Sequence, residues 1–326
     1  MKSMPLETNI IHVGDNITNL KNIPNESVDM CITSPPYYNL RDYKKKGQIG
    51  GENTVTHFVE SLCKVFDEIY RILKPTGSCW VNIGDTYNNK RLLQVPSRFE
   101  IAMCDRGWHL RNEMIWNKPN PQPISSKDRW WTNHEKLYWF VKDVKKYYFN
   151  RDAILVPQAE ISIRRMFSKN NISKRKDANA SSKEGFGISS SNQDKHYARM
   201  REEMGITKEF NYDELVKSGK CPMRPEFTVW EVPSTTYKGA HFAVYPPELI
   251  QKPILSCCPL DGIVVDPFMG SGTTGEVAKL NDRNYIGFEL NEEYATLSQE
   301  RIKRATTVPV KEVSHKNPTT LESLLY

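Results

Sequence analysis

The sequence predicts an α/β fold: a mostly parallel sheet with helices on both faces. Two observations carry this. Short β-branched or apolar runs alternate with segments of helical period at both ends of the chain. A glycine-rich turn, Gly270-Ser271-Gly272, also stands between one such run and a helix, and an acidic residue, Glu289, closes the next run. In open sheets of this kind, ligands bind beyond the carboxyl ends of the strands, at a switch point.

The elements follow in order. Ile10-Ile11-His12-Val13 reads as a first strand running into Gly14-Asp15-Asn16. Val28-Asp29-Met30-Cys31-Ile32 reads as a buried strand, followed by Thr33-Ser34-Pro35-Pro36-Tyr37. Two prolines cannot continue a sheet ladder, so this strand stops in a stiff loop. Phe58, Leu62, Val65, Ile69 and Leu73 recur at helical spacing, and Lys74-Pro75 ends that helix. Cys79-Trp80-Val81-Asn82-Ile83 is a strand ending at Gly84-Asp85. Residues 97–105 read as a helix, and His109 to Trp116 as a strand.

The middle of the chain differs. Asn117 to Pro123, with prolines at 119, 121 and 123, reads as an exit from the sheet. Residues 124–155 carry a dense aromatic set, from Trp130 and Trp131 to Phe149, expected in a core or lining a groove rather than stacking on bases. From 164 to 195 the composition turns basic and polar, with Arg164, Arg165, Lys169, Lys174, Arg175, Lys176 and Lys183 among Ser, Asn and Gly. Such a segment buries little apolar surface. By composition alone it reads as a solvated loop. Phe227 to Pro233 then leads back toward the sheet. Gly239 to Leu249 precedes a short helix. Ile263-Val264-Val265 is a strand, Asp266-Pro267-Phe268-Met269-Gly270-Ser271-Gly272-Thr273-Thr274-Gly275 follows it, and Glu276 to Leu280 opens a helix. Asn284 to Phe288 is a last strand ending in Glu289.

Two of these loops carry chemistry. The loop after Ile32 offers one hydroxyl, free carbonyls and an aromatic ring. Ser34 and the Pro35 carbonyl can accept the hydrogens of a planar, amide-like amine while Tyr37 stacks on the attached ring, as methylation of a nucleobase amino group requires. The loop after Val265 lets a ligand approach the backbone at a helix N-terminus. Glu289, roughly twenty residues beyond the glycines, is placed to bind ribose hydroxyls. The turn lacks the Gly-Lys-Ser/Thr of a phosphate-binding loop, and its spacing is not that of the dinucleotide fingerprint. S-adenosylmethionine has a ribose and no phosphate, and its amino-acid end can meet Asp266 and the amides and hydroxyls of the turn. Both loops leave strand carboxyl ends, so they can be neighbours in space although far apart in sequence.

Composition bounds the rest. The hydrophobic share of 38% and the charged share of 26% suit a globular core. The net charge of +6 permits nucleic-acid binding without requiring it. Seven cysteines, an odd number without paired ligand spacing, read as reduced thiols and no metal site, with Cys257-Cys258 as packing residues. No apolar run approaches membrane-spanning length and the N-terminus lacks a secretory apolar segment, so a cytoplasmic protein is expected.

Ser34-Pro35-Pro36-Tyr37 and Asp266 to Thr274 resemble the signatures of the amino-methylating DNA methyltransferases. The catalytic motif precedes the cofactor motif, as in the permuted group called the beta class. The resemblance covers about two-thirds of the chain, residues 8–118 and 236–305. It implies a Rossmann-like methyltransferase sheet in circularly permuted order. Residues 1–118 would hold the catalytic loop, 119–235 an inserted target-recognition region, and 236–326 the cofactor-binding part. It further implies Ser34, Pro35, Pro36 and Tyr37 as the catalytic set. Asp15, His241, Asp266, Pro267, Phe268, Gly270, Ser271, Gly272, Thr273, Thr274 and Glu289 would bind S-adenosylmethionine. Asp15 would reach the adenine, although a helix cap explains it equally well. His241 lies in the segment that closes over the methionine end.

With these motifs the basic stretch reads as a DNA-contacting loop, with Arg41, Arg164, Arg165, Lys174, Arg175 and Lys176 on double-stranded DNA. Serine at position 34 is associated mainly with cytosine N4 methylation, and aspartate there with adenine N6. The amine lone pair is delocalised into the ring, and the base must be flipped out of the duplex. A cytosine-C5 enzyme would need a thiolate, commonly after proline, and the chain has no Pro-Cys pair. A catalytically inactive DNA-binding module and an ATPase are the rival classes. A companion restriction endonuclease, and a monomer against a homodimer, stay open.

Overall fold

The computed structural model describes residues 6–40, 47–167, 202, 210–234 and 245–305. The chain divides into two compact units, Met1–Ala153 with Phe227–Tyr326, and Ile154–Glu226. Arg41, Lys174, Arg175, Lys176 and His241 lie outside the described residues, and so does the side chain of Arg165.

In the larger unit, β1 (Ile10–Val13) leads to α1 (Asn16–Leu20) and β2 (Val28–Thr33). Helix α2 (Val55–Ile72) is capped by Thr54, whose side chain accepts from the His57 amide. Its buried residues, Phe58, Val59, Leu62, Cys63, Val65, Phe66, Ile69 and Ile72, form one apolar stripe. Leu73 turns extended, and β3 (Leu73–Ile83) starts there, ahead of the expected Cys79. The hairpin β4 (Tyr87–Asn88) and β5 (Arg91–Leu92) precedes α3 (Val95–Asp105) and β6 (His109–Asn117). Then come β7 (His134–Val141) and, in the smaller unit, β8 (Leu155–Pro157), α4 (Glu160–Phe167), α5 (Tyr212–Lys217) and β9 (Met223–Pro225). The larger unit resumes with β10 (Val229–Glu231), α6 (Pro247–Cys257), β11 (Ile263–Asp266), α7 (Thr273–Leu280), β12 (Asn284–Glu289) and α8 (Glu292–Arg304).

Eight strands form one sheet in the order β1-β12-β11-β2-β3-β7-β6-β10. All neighbours are parallel except β7, which runs antiparallel to both β3 and β6. Period-two alternation divides the core between the two faces. Cys31, Cys79, Val81 and Ile83 face the cluster that holds α2 and α3 residues such as Phe58, Phe66 and Phe99. Met30, Ile32 and Trp80 face the other, with Trp139, Trp230, Leu249 and Ile254. Trp80 and Trp139 stack with centroids 5.3 Å apart, and the Trp139 Nε1 donates to Ser78 Oγ (3.1 Å). At the back of the sheet, Asp29 accepts from Lys74 Nζ (2.8 Å) and the Ile263 amide (2.9 Å), so its burial is compensated.

The prolines after Asn117 do not take the chain out of the sheet for good. It returns as β7, because Leu137, Tyr138, Trp139, Phe140 and Val141 supply buried residues to both faces. Residues 134–141 and 229–231, inside the span expected to recognise DNA, are therefore sheet strands. In the smaller unit β8 pairs antiparallel with β9, and Ile163, Leu215 and Cys221 form its core. The Tyr212 hydroxyl donates to Gln158 O (2.9 Å).

Candidate active site at the carboxyl rim of the sheet

Strands β2 and β11 are parallel neighbours, with Met30 opposite Val264 and Cys31 opposite Val265. From this pair the connections run outward in opposite directions, to β3 on one side and to β12 and β1 on the other. That is a switch point, and the two loops read from the sequence both leave it. They are joined directly: Thr33 Oγ1, at the end of β2, donates to Asp266 Oδ1 at 2.5 Å across 233 residues of sequence.

Asp266 is 1% exposed. Besides Thr33, its Oδ1 accepts from the Phe268 amide (2.9 Å), and its Oδ2 from Thr274 Oγ1 (2.5 Å) and the Tyr245 hydroxyl (3.2 Å). Burial pushes its pKa up, opposed by the bonds from Thr274, Thr33, Phe268 and Tyr245. Burial likewise raises the Tyr245 phenol, with the Asp266 charge adding to it. The sequence reading places Asp266 against the amino-acid end of a cofactor. In the structure both its oxygens are engaged within the protein.

The glycine turn is built on that carboxylate. Gly270 and Gly272 take left-handed φ of 54° and 83°, and Gly272 caps α7, which starts at Thr273, ahead of the expected Glu276. An added Cβ at Gly270 would meet only Phe268 O, at 3.8 Å, so no described side chain crowds that position. The Ser298 hydroxyl donates to Gly270 O. Glu289 accepts from the Gly270 amide (2.9 Å, Oε2) and the Asn291 amide (2.8 Å, Oε1). Burial raises its pKa, opposed by those two amides.

Several expected cofactor contacts face the protein. Arg301 on α8 donates to Ser271 Oγ (3.1 Å) and Thr273 Oγ1 (2.9 Å) and pairs with Glu276 (2.6 Å). The Thr274 hydroxyl is buried on Asp266 and Tyr245. Pro267 O accepts from Asn16 Nδ2 (3.0 Å), which brings the β1–α1 loop to the turn. Asp15 in that loop caps α1, accepting on Oδ1 from the Thr18 amide (2.8 Å) and Oγ1 (2.6 Å). Phe268 packs against the core on the α2 face.

On the other side of the switch point, Ser34, Pro36 and Tyr37 are half-buried and Pro35 is buried. The Tyr37 hydroxyl donates to Glu135 Oε2 (2.5 Å) and lies 3.4 Å from Asn82 Oδ1. Asn82 Nδ2 also donates to Glu135 Oε2 (3.2 Å). Lys118 pairs with Glu135 and sits over the Trp116 ring, 4.2 Å from its centroid. Gly84 makes room for Tyr37, since a Cβ there would stand 2.7 Å from the Tyr37 Cε2. No motif flags Glu135, Lys118, Asn82, Tyr245 or Arg301. They lie on elements that topology brings to this rim.

A cleft of about 600 Å³ beside Asn9, Asp261, Lys279, Asp282, Arg283 and Asn284 lies at the amino ends of β1, β11 and β12 and contains none of these groups. Among the described residues no cluster of His, Cys, Asp and Glu could hold a metal, and no helix is long and apolar enough to cross a membrane. All seven cysteines are free thiols. Arg164 pairs with Glu160 (2.5 Å) and stacks on Phe210 (4.9 Å) in the smaller unit.

A Ser-Pro-Pro-Tyr loop set against a glycine turn at a switch point, with an acid beyond it, is the arrangement expected of an amino-group methyltransferase. The family model described as DNA methylase matches residues 28–300, and the chain belongs to that N6/N4 DNA methylase family. The chain is 32% identical over 332 residues to the type II methyltransferase M.SmaI of Serratia marcescens, covering 92% of this chain and 94% of that protein. Its fold is similar to that of the PvuII DNA methyltransferase, titled cytosine-N4-specific (TM-score 0.59, 20% identity, 91% of each chain). It is also similar to that of a Thermus thermophilus protein in complex with S-adenosyl-L-methionine (TM-score 0.55, 21% identity, 92% of this chain and 96% of that one). The protein is a DNA methyltransferase of the amino-methylating kind.

Proposed function

We propose that this DNA methyltransferase transfers a methyl group from S-adenosylmethionine to the N4 amino group of a cytosine flipped out of duplex DNA. The observation that carries the reading is the Thr33–Asp266 hydrogen bond, which fastens the amine-holding loop to the glycine turn. The residues present suit the cofactor: no described side chain crowds Gly270, and Glu289 beside it is an acid held in place by two amides. Glu289 would take the ribose hydroxyls, the turn 267–272 the amino-acid end, and the Asp15 loop the adenine. When bound, S-adenosylmethionine supplies an electrophilic methyl on a sulfonium.

The chain's own residues do the rest. Ser34 Oγ and the Pro35 carbonyl accept the two amine hydrogens and favour a pyramidal nitrogen with a directed lone pair. Tyr37, its phenol fixed by Glu135, stacks on the extruded ring. Proximity and orientation are the main catalytic terms. The methylated amine is acidic and needs no strong base. We assign Asp266 the shaping of the turn rather than a contact to the cofactor, because its four acceptor positions are filled.

Serine at position 34 is a neutral acceptor where an aspartate would bring charge, and this supports cytosine over adenine. Target recognition is assigned to the 118–133 connection and the smaller unit, with Arg41, Arg165, Lys174, Arg175 and Lys176 on phosphates. Type II relatives support a cytoplasmic modification enzyme with a companion endonuclease. Digesting methylated duplex DNA to nucleosides for mass spectrometry tests the target atom. N4-methylcytosine is expected, and N6-methyladenine alone would overturn the choice of cytosine.

A further inference from the structure

Residues 118–133 join the carboxyl end of β6 to the start of β7, so they rise from the rim that carries the Ser34 loop. The connection is closed at its base. The Lys118 amide donates to Asn133 O (2.8 Å), Asn133 Nδ2 to Asn117 Oδ1 (2.8 Å), and the Lys118–Glu135 pair meets the Tyr37 hydroxyl. Its tip is braced against the β4–β5 hairpin, which leaves the same rim after β3. Lys90 pairs with Asp128 (2.8 Å), and the Arg129 guanidinium lies 3.8 Å from the Tyr87 ring centroid. Trp131 Nε1 donates to Ser126 O (2.9 Å), and Ser126 Oγ to Asp128 Oδ1 (2.8 Å). The hairpin turn has positive φ at both Asn89 (47°) and Lys90 (65°), which matches the twist of a tight two-residue connection.

On this braced tip Trp130 is 95% exposed. A large indole held in water forgoes the burial that aromatic side chains otherwise supply. The surroundings are cationic: Lys118 is matched by Glu135 and Lys90 by Asp128, which leaves the charges of Lys127, Arg129 and Arg91 in excess over the acids of the connection and the hairpin. An exposed ring among cations, on a loop rooted at the tyrosine of the amine-holding motif, suits duplex DNA better than an apolar protein surface.

We propose that Trp130 enters the duplex beside the target and stacks in the space the extruded base leaves. Extrusion unstacks the neighbouring pairs, and a flat aromatic ring replaces that stacking at any sequence. Lys127 and Arg91 hold the flanking phosphates. The inference rests on the DNA methyltransferase activity of the chain.

The test uses the full-length protein, a duplex carrying the site mapped from modified DNA, and the variants Trp130→Ala, Trp130→Phe and Trp130→Lys. Trp130 is almost wholly exposed, so all three should melt and bind S-adenosylmethionine as the parent does. The parent's tryptophan fluorescence should be quenched by the site duplex; Trp130→Ala should bind that duplex on the order of tenfold to a hundredfold more weakly and show less of that quenching. Trp130→Phe should recover most of the affinity, and Trp130→Lys, which adds charge without a ring, should not. Binding and turnover of Trp130→Ala within twofold of the parent would overturn the assignment, and so would recovery by Trp130→Lys. A parent that leaves the duplex unmethylated overturns the DNA methyltransferase reading and the inference with it.

Discussion

Replacing Asp266 by asparagine separates two ways in which this carboxylate could serve the cofactor. Its Oδ1 accepts from Thr33 and the Phe268 amide, and its Oδ2 from Thr274 and Tyr245. Asparagine is nearly isosteric. Its oxygen keeps the first pair, and its amide can donate to Thr274 Oγ1 and the Tyr245 hydroxyl, both able to accept. Bonds worth about 1.5–3 kcal/mol with a charge fall to about 0.5–1.5 kcal/mol between neutral groups. Against this loss, the burial penalty that raises the Asp266 pKa disappears. The variant should therefore lie within about 2 kcal/mol of the parent. Asp266→Ala has no such compensation. It strands the Phe268 N–H and buried hydroxyls at about 1–3 kcal/mol each, and should be the less stable variant by thermal unfolding.

The decisive assay is calorimetric titration with S-adenosylmethionine. If Asp266 shapes the turn, Asp266→Asn binds the cofactor within about threefold of the parent, under 1 kcal/mol. A direct ionic contact to the cofactor ammonium would instead lose about 1.5–3 kcal/mol, roughly 10- to 150-fold. A variant with parental melting and more than about tenfold weaker binding refutes the shaping role. Stability against pH adds a signed check. The folded pKa of Asp266 is raised, so its contribution is fullest below the unfolded value and is lost as pH rises through the folded one. Asparagine does not titrate, so the variant's melting temperature should gain on the parent's across that interval.

Two further predictions concern Tyr37. Glu135→Ala removes the nearer acceptor of its phenol, Asn82 Oδ1 being at 3.4 Å, and takes the carboxylate from Lys118, so methyl transfer should fall roughly tenfold or more while S-adenosylmethionine binding stays near parental. Glu135→Gln, which keeps an acceptor, should recover part of the rate, and an unchanged rate in Glu135→Ala would remove it as a positioning residue. Gly84→Ala drives a Cβ to 2.7 Å from the Tyr37 ring, so the ring must move. Single-turnover methylation should slow with cofactor affinity intact, and a parental rate would show that the ring position is not critical.

Much of the sheet was legible because β2, β11 and β12 are short apolar runs ended by a proline pair, a glycine turn and an acid. The α2 stripe was equally plain, since eight buried residues fall on one face. Strand β7 was not legible. Its aromatics face both sides of the sheet, so they show no period, and the prolines before it read as an exit. In the site, the motif residues fall where their loops were expected, but which of their atoms point outward does not follow from sequence. The hydroxyls of Ser271, Thr273 and Thr274 look free in a glycine turn and are held by Arg301, Asp266 and Tyr245. Arg301 lies on α8 and Tyr245 before α6, and no local pattern links either to the turn, whereas Asp266 heads the same motif.

The same geometry explains why motif order along the chain matters little to this chemistry. The Ser34 loop and the glycine turn need only leave adjacent parallel strands on one rim. Here the β2–β11 pairing supplies that adjacency across 233 residues, with the Thr33–Asp266 bond at its end. A hydrogen bond between two buried side chains at the ends of neighbouring strands fixes the separation of the two loops more tightly than either loop could alone. Asp266 thus bonds to the glycine turn through Phe268 and Thr274 and, through Thr33, to the end of the strand that runs into the Ser34 loop. Thr33→Val would keep the strand and sever only that link. It should therefore slow methyl transfer while sparing cofactor affinity, the signature of a lost alignment between two intact half-sites.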